Sequence, residues 1–122
     1  MVILDTNAIL RYILQDNKEM ADEVEIVLTQ NVCFIPVEVI AEMVYVLNMV
    51  YSLDRSVICQ IITDISLSND VIVEHQDVVR YAVQVYSNTG LDFVDCLLTG
   101  YSKINDYTVF TFDKKLKNQL KQ

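Results

Sequence analysis

The chain has 122 residues, of which 52% are hydrophobic, and its formal net charge is −8. This length suits one domain with a core of its own, and the hydrophobic content excludes a disordered chain. With only two glycines and one proline, an all-β fold built on many tight turns is not expected. The strong acidity argues against a broadly basic surface for binding nucleic acid.

The chain shows no sign of secretion or of a membrane segment. Its three cysteines, Cys33, Cys59 and Cys96, are widely spaced and odd in number, so neither a disulfide framework nor a zinc site is indicated. No apolar run approaches the ~20 residues that cross a bilayer, and Asp5 interrupts the first apolar run. We expect a cytoplasmic protein without membrane contact.

Short apolar runs alternate with helical segments along the whole chain. The predicted elements are, in order, a strand at Val2–Leu4, a helix from Asn17 to Thr29, a strand at Val32–Ile35, helices from Val37 to Met49 and from Asp54 to Leu67, a strand at Val71–Val73, helices from Asp77 to Tyr86 and from Leu91 to Lys103, a strand at Tyr107–Thr111, and a last helix from Asp113. This alternation is typical of a parallel sheet covered on both faces. We predict one α/β domain over residues 1–122, a three-layer sandwich with a four-stranded parallel sheet flanked by helices.

Acidic residues follow two of these predicted strands. Asp5 comes directly after the first strand, and Asp113 lies just beyond the last. In open α/β sheets, sites form outside the carboxyl ends of the strands, which favours a functional role. An aspartate in this position can instead cap the helix that follows, and the sequence leaves both readings open.

Glu42 lies in the middle of a helix that is apolar nearly all round, where a charge is costly unless it is paired or bound to metal. No lysine or arginine occurs between Lys18 and Arg55, so no local cation is available. Glu38 lies one turn earlier on the same face, and the alternative is that both glutamates form a narrow solvated stripe. We favour Glu42 as a metal ligand.

Asp92 and Asp95 share one face at the start of a predicted helix. The helix dipole favours acids in a first turn, and this structural explanation suits Asp92 better than the deeper Asp95. Crowded carboxylates repel one another unless a cation holds them. An all-oxygen site suits magnesium or manganese, so we predict Mg²⁺ or Mn²⁺ held by Asp5, Glu42, Asp95 and Asp113.

Four segments resemble the four motifs of PIN-domain proteins, in the family's order and over nearly the whole chain. They are Val2-Ile3-Leu4-Asp5-Thr6-Asn7, the segment Pro36–Leu47 with its acid at Glu42, the segment Asp92–Leu98 with its acid at Asp95, and Thr111-Phe112-Asp113-Lys114-Lys115. The likeness is closest to the VapC-type toxins of prokaryotic toxin–antitoxin pairs. PIN-family sheets often add a fifth strand after the last helix.

The resemblance implies a metal-dependent endoribonuclease that acts on RNA, forms a homodimer and is blocked by a protein antitoxin. Thr6, Asn7 and Thr111 are candidates to orient the carboxylates or to touch a phosphate. Asp92 is an acid additional to the family pattern and a candidate for the surroundings of the metal ligands. Lys114, Lys115 and Lys117 are candidate RNA contacts; the structural alternative is that they complement the carboxyl end of a terminal helix.

Two other functions stay open. A phosphatase resembling the haloacid dehalogenases needs a second aspartate two residues after the first, and Asn7 occupies that position. A PIN-like fold that serves as a non-catalytic protein-binding module is the stronger alternative, because folds of one type host many functions.

Overall fold

The computed structural model describes all 122 residues. Its elements in chain order are β1 (Val2–Ile3), α1 (Thr6–Leu14), α2 (Lys18–Gln30), β2 (Cys33–Ile35), α3 (Val37–Met49), α4 (Arg55–Leu67), β3 (Val71–Val73), α5 (Gln76–Asn88), α6 (Phe93–Asn105) and α7 (Lys114–Leu120). The three strands form a parallel sheet in the order β1-β2-β3. The α/β prediction is confirmed, and none of the helices has the length and apolar character needed to cross a bilayer.

The two faces of the sheet differ in how well they are covered. Ile35 and Val73 are paired in register and point into the core, where both are buried. The neighbouring row, Ile3–Phe34–Ile72, points the other way, and Ile3 is 66% exposed while Ile72 is 47% exposed. The expected burial of the sheet on both faces is therefore only partly realised.

The predicted fourth strand is absent from the sheet. Residues Tyr107–Thr111 lie between α6 and α7 without strand structure, and β1 pairs only with β2. No backbone–backbone hydrogen bond involves residues 108–112, and Phe110 and Phe112 are each 84% exposed. The aromatic and β-branched composition of the segment favours a strand, but pairing depends on whether a neighbouring edge is within reach.

Helix α1 was not expected from the sequence. Only Leu4 and Asp5 separate it from β1, and the Asp5 side chain caps it by accepting a hydrogen bond from the Ala8 amide at 2.9 Å. Ile9 and Leu10 anchor the helix in the core. When a strand is followed so closely by a helix, few residues mark the boundary, and the start of the helix is hard to recognise in the sequence.

Helix α3 has the predicted bounds but not the predicted surroundings. Its buried residues are Ile40, Met43, Val44 and Leu47. The opposite face carries Glu38, Glu42, Tyr45 and Met49, all exposed, with Tyr45 at 64% and Met49 at 62%. The apolar composition of α3 favoured a helix buried within the protein or at an interface. Within this chain the second face of α3 reaches solvent, so the helix is not buried within the protein on that side.

Candidate functional site

The structure brings acidic side chains together at the starts of α6 and α7. Asp95 is half-buried in the first turn of α6. Loss of solvation raises the pKa of its carboxyl above the ordinary 3.8, and the charges of Asp113 and then Asp92 raise it further. Three of the acids singled out in the sequence are therefore close enough to interact electrically.

Asp113 and Asp5 both cap helices. Asp113 precedes α7, and one of its carboxylate oxygens accepts a hydrogen bond from the Leu116 amide at 2.8 Å. The Asp5 carboxylate caps α1 in the same way, by accepting a hydrogen bond from the Ala8 amide. The structural role that the sequence left open is thus present at both positions. Each cap uses one carboxylate oxygen and leaves the other free, so capping and metal binding are compatible.

Glu42 is exposed on α3. The burial that made its charge look costly is absent, and the solvated stripe with Glu38 describes its surroundings correctly. Water can stabilise this carboxylate without a cation. The structure therefore removes the physical argument that favoured Glu42, and its role as a ligand now depends on the family motif alone.

The polar neighbours of these acids differ in their environment. Thr6 is only 8% exposed, and its hydroxyl oxygen has no hydrogen-bond partner, which is costly for a buried polar atom. The Thr111 hydroxyl accepts a hydrogen bond from the Asp113 amide at 3.0 Å and so fixes the backbone at that acid. Asn7 and Asp92 are exposed.

The lysines beside Asp113 occupy an unfavourable end of their helix. Lys114 and Lys115 open α7, whereas Lys117 lies in its last turn. All three are exposed and none forms an ion pair. Cations at the amino end of a helix oppose its dipole, so complementing the helix explains Lys117 but not Lys114 or Lys115.

A groove beside Asp95 contains two residues, Arg55 and Tyr86, that belong to none of the acidic motifs. Its volume is about 610 Å³, and Arg55 and Tyr86 line it together with Asp92 and Asp95. The Arg55 guanidinium lies 3.6 Å above the centre of the Tyr86 ring and donates hydrogen bonds to the carbonyl oxygens of Tyr86 and Leu91. In the sequence Arg55 can be recognised only as a residue near the start of a helix. Nothing in its neighbouring residues indicates that it lies near Asp95.

The predicted metal ligands have suitable chemistry but do not form one shell. Carboxylate oxygens are the donors that Mg²⁺ and Mn²⁺ prefer. Nevertheless, no three His, Cys, Asp or Glu side chains are grouped so that they could hold one ion. Asp95 and Asp113 interact, whereas Asp5 and Glu42 do not join them in a common group. In this conformation the four residues do not fit a shared metal ion.

Comparison with known proteins identifies a family. The family model of the PIN domain matches residues 2–119. No curated protein and no solved structure matches the chain. The family match spans all three strands and all the helices except the end of α7, and it includes all four predicted acids. The chain therefore belongs to the PIN domain family.

Proposed function

We propose that this protein is a Mg²⁺- or Mn²⁺-dependent endoribonuclease that hydrolyses RNA phosphodiester bonds, with Asp5, Glu42, Asp95 and Asp113 as its functional acids. PIN domains are generally metal-dependent nucleases, and the chain belongs to this family. The observation that carries the proposal is the electrostatic coupling of Asp95 to Asp113. Asp95 lies on α6 and Asp113 caps α7, and each belongs to a separate family motif.

The charge around Asp95 supports a role for a divalent cation. Neither of the ion pairs in the structure involves Asp92, Asp95 or Asp113. Repulsion among carboxylates that form no ion pair with a protein cation is relieved by proton uptake or by a bound cation. Because these donors are all oxygen atoms, the expected cation is a hard one.

A fourth strand would bring Asp5 closer to Asp113. β1 has a free edge and leads directly into Asp5, while Tyr107–Thr111 lies just before Asp113. If this segment pairs with β1 in parallel, both acids lie at the same carboxyl edge of the sheet. We include this four-stranded arrangement in the proposal, as the conformation in which the ligands assemble.

The biological role follows from the likeness to VapC-type toxins. We propose that the protein is the toxin of a type II toxin–antitoxin pair, that it acts as a homodimer and that a cognate protein antitoxin blocks its acidic site. Lys114, Lys115 and Lys117 are proposed RNA contacts, because they lie beside Asp113 and have no acidic partner. Thr6, Asn7 and Thr111 are proposed to orient the acids or to touch the phosphate.

RNA cleavage tests the proposal directly. Purified protein is incubated with RNA in Mg²⁺, in Mn²⁺ and in EDTA, together with the variants Asp5→Asn and Asp95→Asn. We expect cleavage only with metal, products with 5′-phosphate and 3′-hydroxyl ends, and loss of cleavage in both variants. Asp70→Asn is the matched control, because Asp70 is exposed and precedes β3 outside the site. Cleavage that persists in EDTA, or in Asp5→Asn, contradicts the proposal.

A non-catalytic protein-binding module is the second candidate. It is favoured by the absence of an assembled group of three ligands. Such a module needs no metal, so Mn²⁺ would leave its melting temperature unchanged, whereas a metal ligated by the native fold must stabilise it.

A further inference from the structure

The groove beside Asp95 combines an aromatic floor with an open rim. Its floor includes Tyr86 and Phe93, which are 3% and 5% exposed and pack edge to face with ring centres 5.6 Å apart. Tyr45 lines the same groove from α3 and is 64% exposed. The volume of about 610 Å³ leaves room for one flat aromatic ring system between α3 and α6.

The donor groups in this groove are largely engaged by the protein itself. Arg55 donates to the carbonyl oxygens of Tyr86 and Leu91, and its guanidinium covers the Tyr86 ring. The Asn48 amide nitrogen donates to the Leu53 carbonyl oxygen at 3.4 Å, which leaves the Asn48 side-chain oxygen free to accept. Arg55 therefore acts mainly as a brace for the groove floor.

The acceptors in the groove are unpaired. Asp92 stands at the cap position of α6, yet its side chain makes no capping hydrogen bond, unlike Asp5 and Asp113. No hydrogen bond or ion pair engages the side chain of Asp92 or Asp95. An ionised carboxylate only accepts hydrogen bonds, so the groove offers a negatively charged acceptor edge above an apolar floor. The ligand that complements this edge is rich in N–H donors, and the exposed ring of Tyr45, which also lines the groove, favours one with an aromatic ring.

We propose that this groove binds a guanine base of the RNA substrate, with the Asp92 carboxylate accepting the N1–H and N2–H donors of the base. Guanine presents two adjacent N–H donors on its Watson–Crick edge, which match the two oxygens of one carboxylate. The same edge of adenine, cytosine or uracil places a ring or carbonyl acceptor beside its N–H donor, and this acceptor would face the carboxylate. Tyr45 supplies a stacking surface that tolerates any base.

This inference rests on the proposed function, because it assigns a subsite to the proposed nuclease. Asp92 is the cap residue of α6, Asp95 lies in its first turn, and both line the same groove. A base held by Asp92 therefore places its nucleotide beside Asp95. The groove then selects which phosphodiester bond reaches the acidic site.

Binding of mononucleotides without metal tests the inference separately from cleavage. The full chain in EDTA is titrated with the 5′-monophosphates of guanosine, adenosine, cytidine and uridine, which carry the same phosphate and differ only in the base. Chemical shifts of the Val94 and Ala41 methyl groups report on the groove, which both residues line. We expect guanosine monophosphate to bind about tenfold more tightly than the others, in line with one bidentate contact.

Matched variants separate recognition from stacking. Asp92→Asn keeps the size of the side chain but replaces one acceptor oxygen with a donor, so we expect the preference for guanine to disappear. Asp70→Asn should retain the preference, because Asp70 lies outside the groove. Tyr45→Ala should weaken the binding of all four nucleotides about equally.

Equal binding of the four nucleotides, or an unchanged preference in Asp92→Asn, overturns the inference. A second outcome also overturns the inference: the wild-type protein is a dimer that does not bind guanosine monophosphate, and Val94→Glu converts it to a monomer. The groove would then be an interface between copies of this chain. Metal-dependent cleavage without guanine preference rejects the subsite and leaves the proposed function intact. Guanine binding without any cleavage supports the subsite as a binding site and rejects the nuclease.

Discussion

Asp95 lies in the first turn of α6 and Asp113 caps α7, yet the charge of Asp113 is, after loss of solvation, the largest influence that raises the pKa of the Asp95 carboxyl. This coupling depends on the contact between α7 and α6; α7 is anchored by Leu116, which is buried. The fold therefore holds two like charges close together, at a cost in stability that a bound cation would remove.

Replacing Asp95 should stabilise the metal-free protein at neutral pH. Asp95→Asn removes the negative charge at this position. In the wild type that charge is disfavoured by the loss of solvation and by the charges of Asp113 and Asp92. We expect the free energy of unfolding to rise by less than about 1 kcal/mol, because solvent screens a half-exposed carboxylate. Urea unfolding in EDTA measures the difference.

The effect of Asp95→Asn should depend on pH in a defined direction. The folded protein binds this proton more tightly than the unfolded chain does, because the folded pKa is raised above 3.8. The free energy of unfolding of the wild type therefore falls as the pH rises from about 3.8 through the raised pKa of Asp95. Below about pH 3.8 the Asp95 carboxyl is protonated in both states and costs no stability. The advantage of the variant should vanish at low pH, and a constant advantage would show that charge is not its cause.

Divalent cations should stabilise the fold if the proposed acids bind them. At a free Mn²⁺ concentration one hundred times the dissociation constant, the expected gain is about 2.7 kcal/mol. Thermal unfolding with Mn²⁺ measures this gain, and Asp5→Asn should reduce it sharply while Asp70→Asn leaves it unchanged. Equal stabilisation of Asp5→Asn would remove Asp5 from the ligand set.

Hydrogen exchange should report on the proposed fourth strand. The amides of residues 108–112 make no backbone hydrogen bonds in this structure, so we expect rapid exchange in EDTA. Saturating Mn²⁺ should slow the exchange of these amides if the segment pairs with β1, while the helical amides of α6 serve as the internal reference. Rapid exchange under both conditions would contradict the four-stranded arrangement.

The packing of α5 against α6 should be sensitive at Gly100. A β-carbon there would lie 2.9 Å from the Val78 carbonyl oxygen and 3.0 Å from a Val78 methyl group. Alanine favours a helix over glycine by about 1 kcal/mol, but overpacking against backbone costs roughly 1–3 kcal/mol. We expect Gly100→Ala to destabilise the protein in urea unfolding.

Gly90 is the control for this substitution. Nothing lies within 4 Å of a β-carbon built at Gly90, so Gly90→Ala should change the free energy of unfolding by no more than roughly 0.5 kcal/mol. Equal effects at the two glycines would show that contact with Val78 is not the cause.

The sequence by itself determined the features that depend on near neighbours. The bounds of α3 at Val37–Met49 and of β3 at Val71–Val73 agree with the prediction, because hydrophobic runs and a preceding proline act over a few residues. The motifs around Asp5, Glu42, Asp95 and Asp113 also led to the correct family, since family patterns reside in the residue order.

Only the tertiary structure decided which side chains meet and which reach solvent. It exposed Glu42 on a helix that is apolar in composition, left Tyr107–Thr111 outside the sheet, and placed Arg55 in the groove that also contains Asp95. Exposure, strand pairing and charge coupling depend on partners that are distant along the chain. Residue order within a single segment carries no information about their positions.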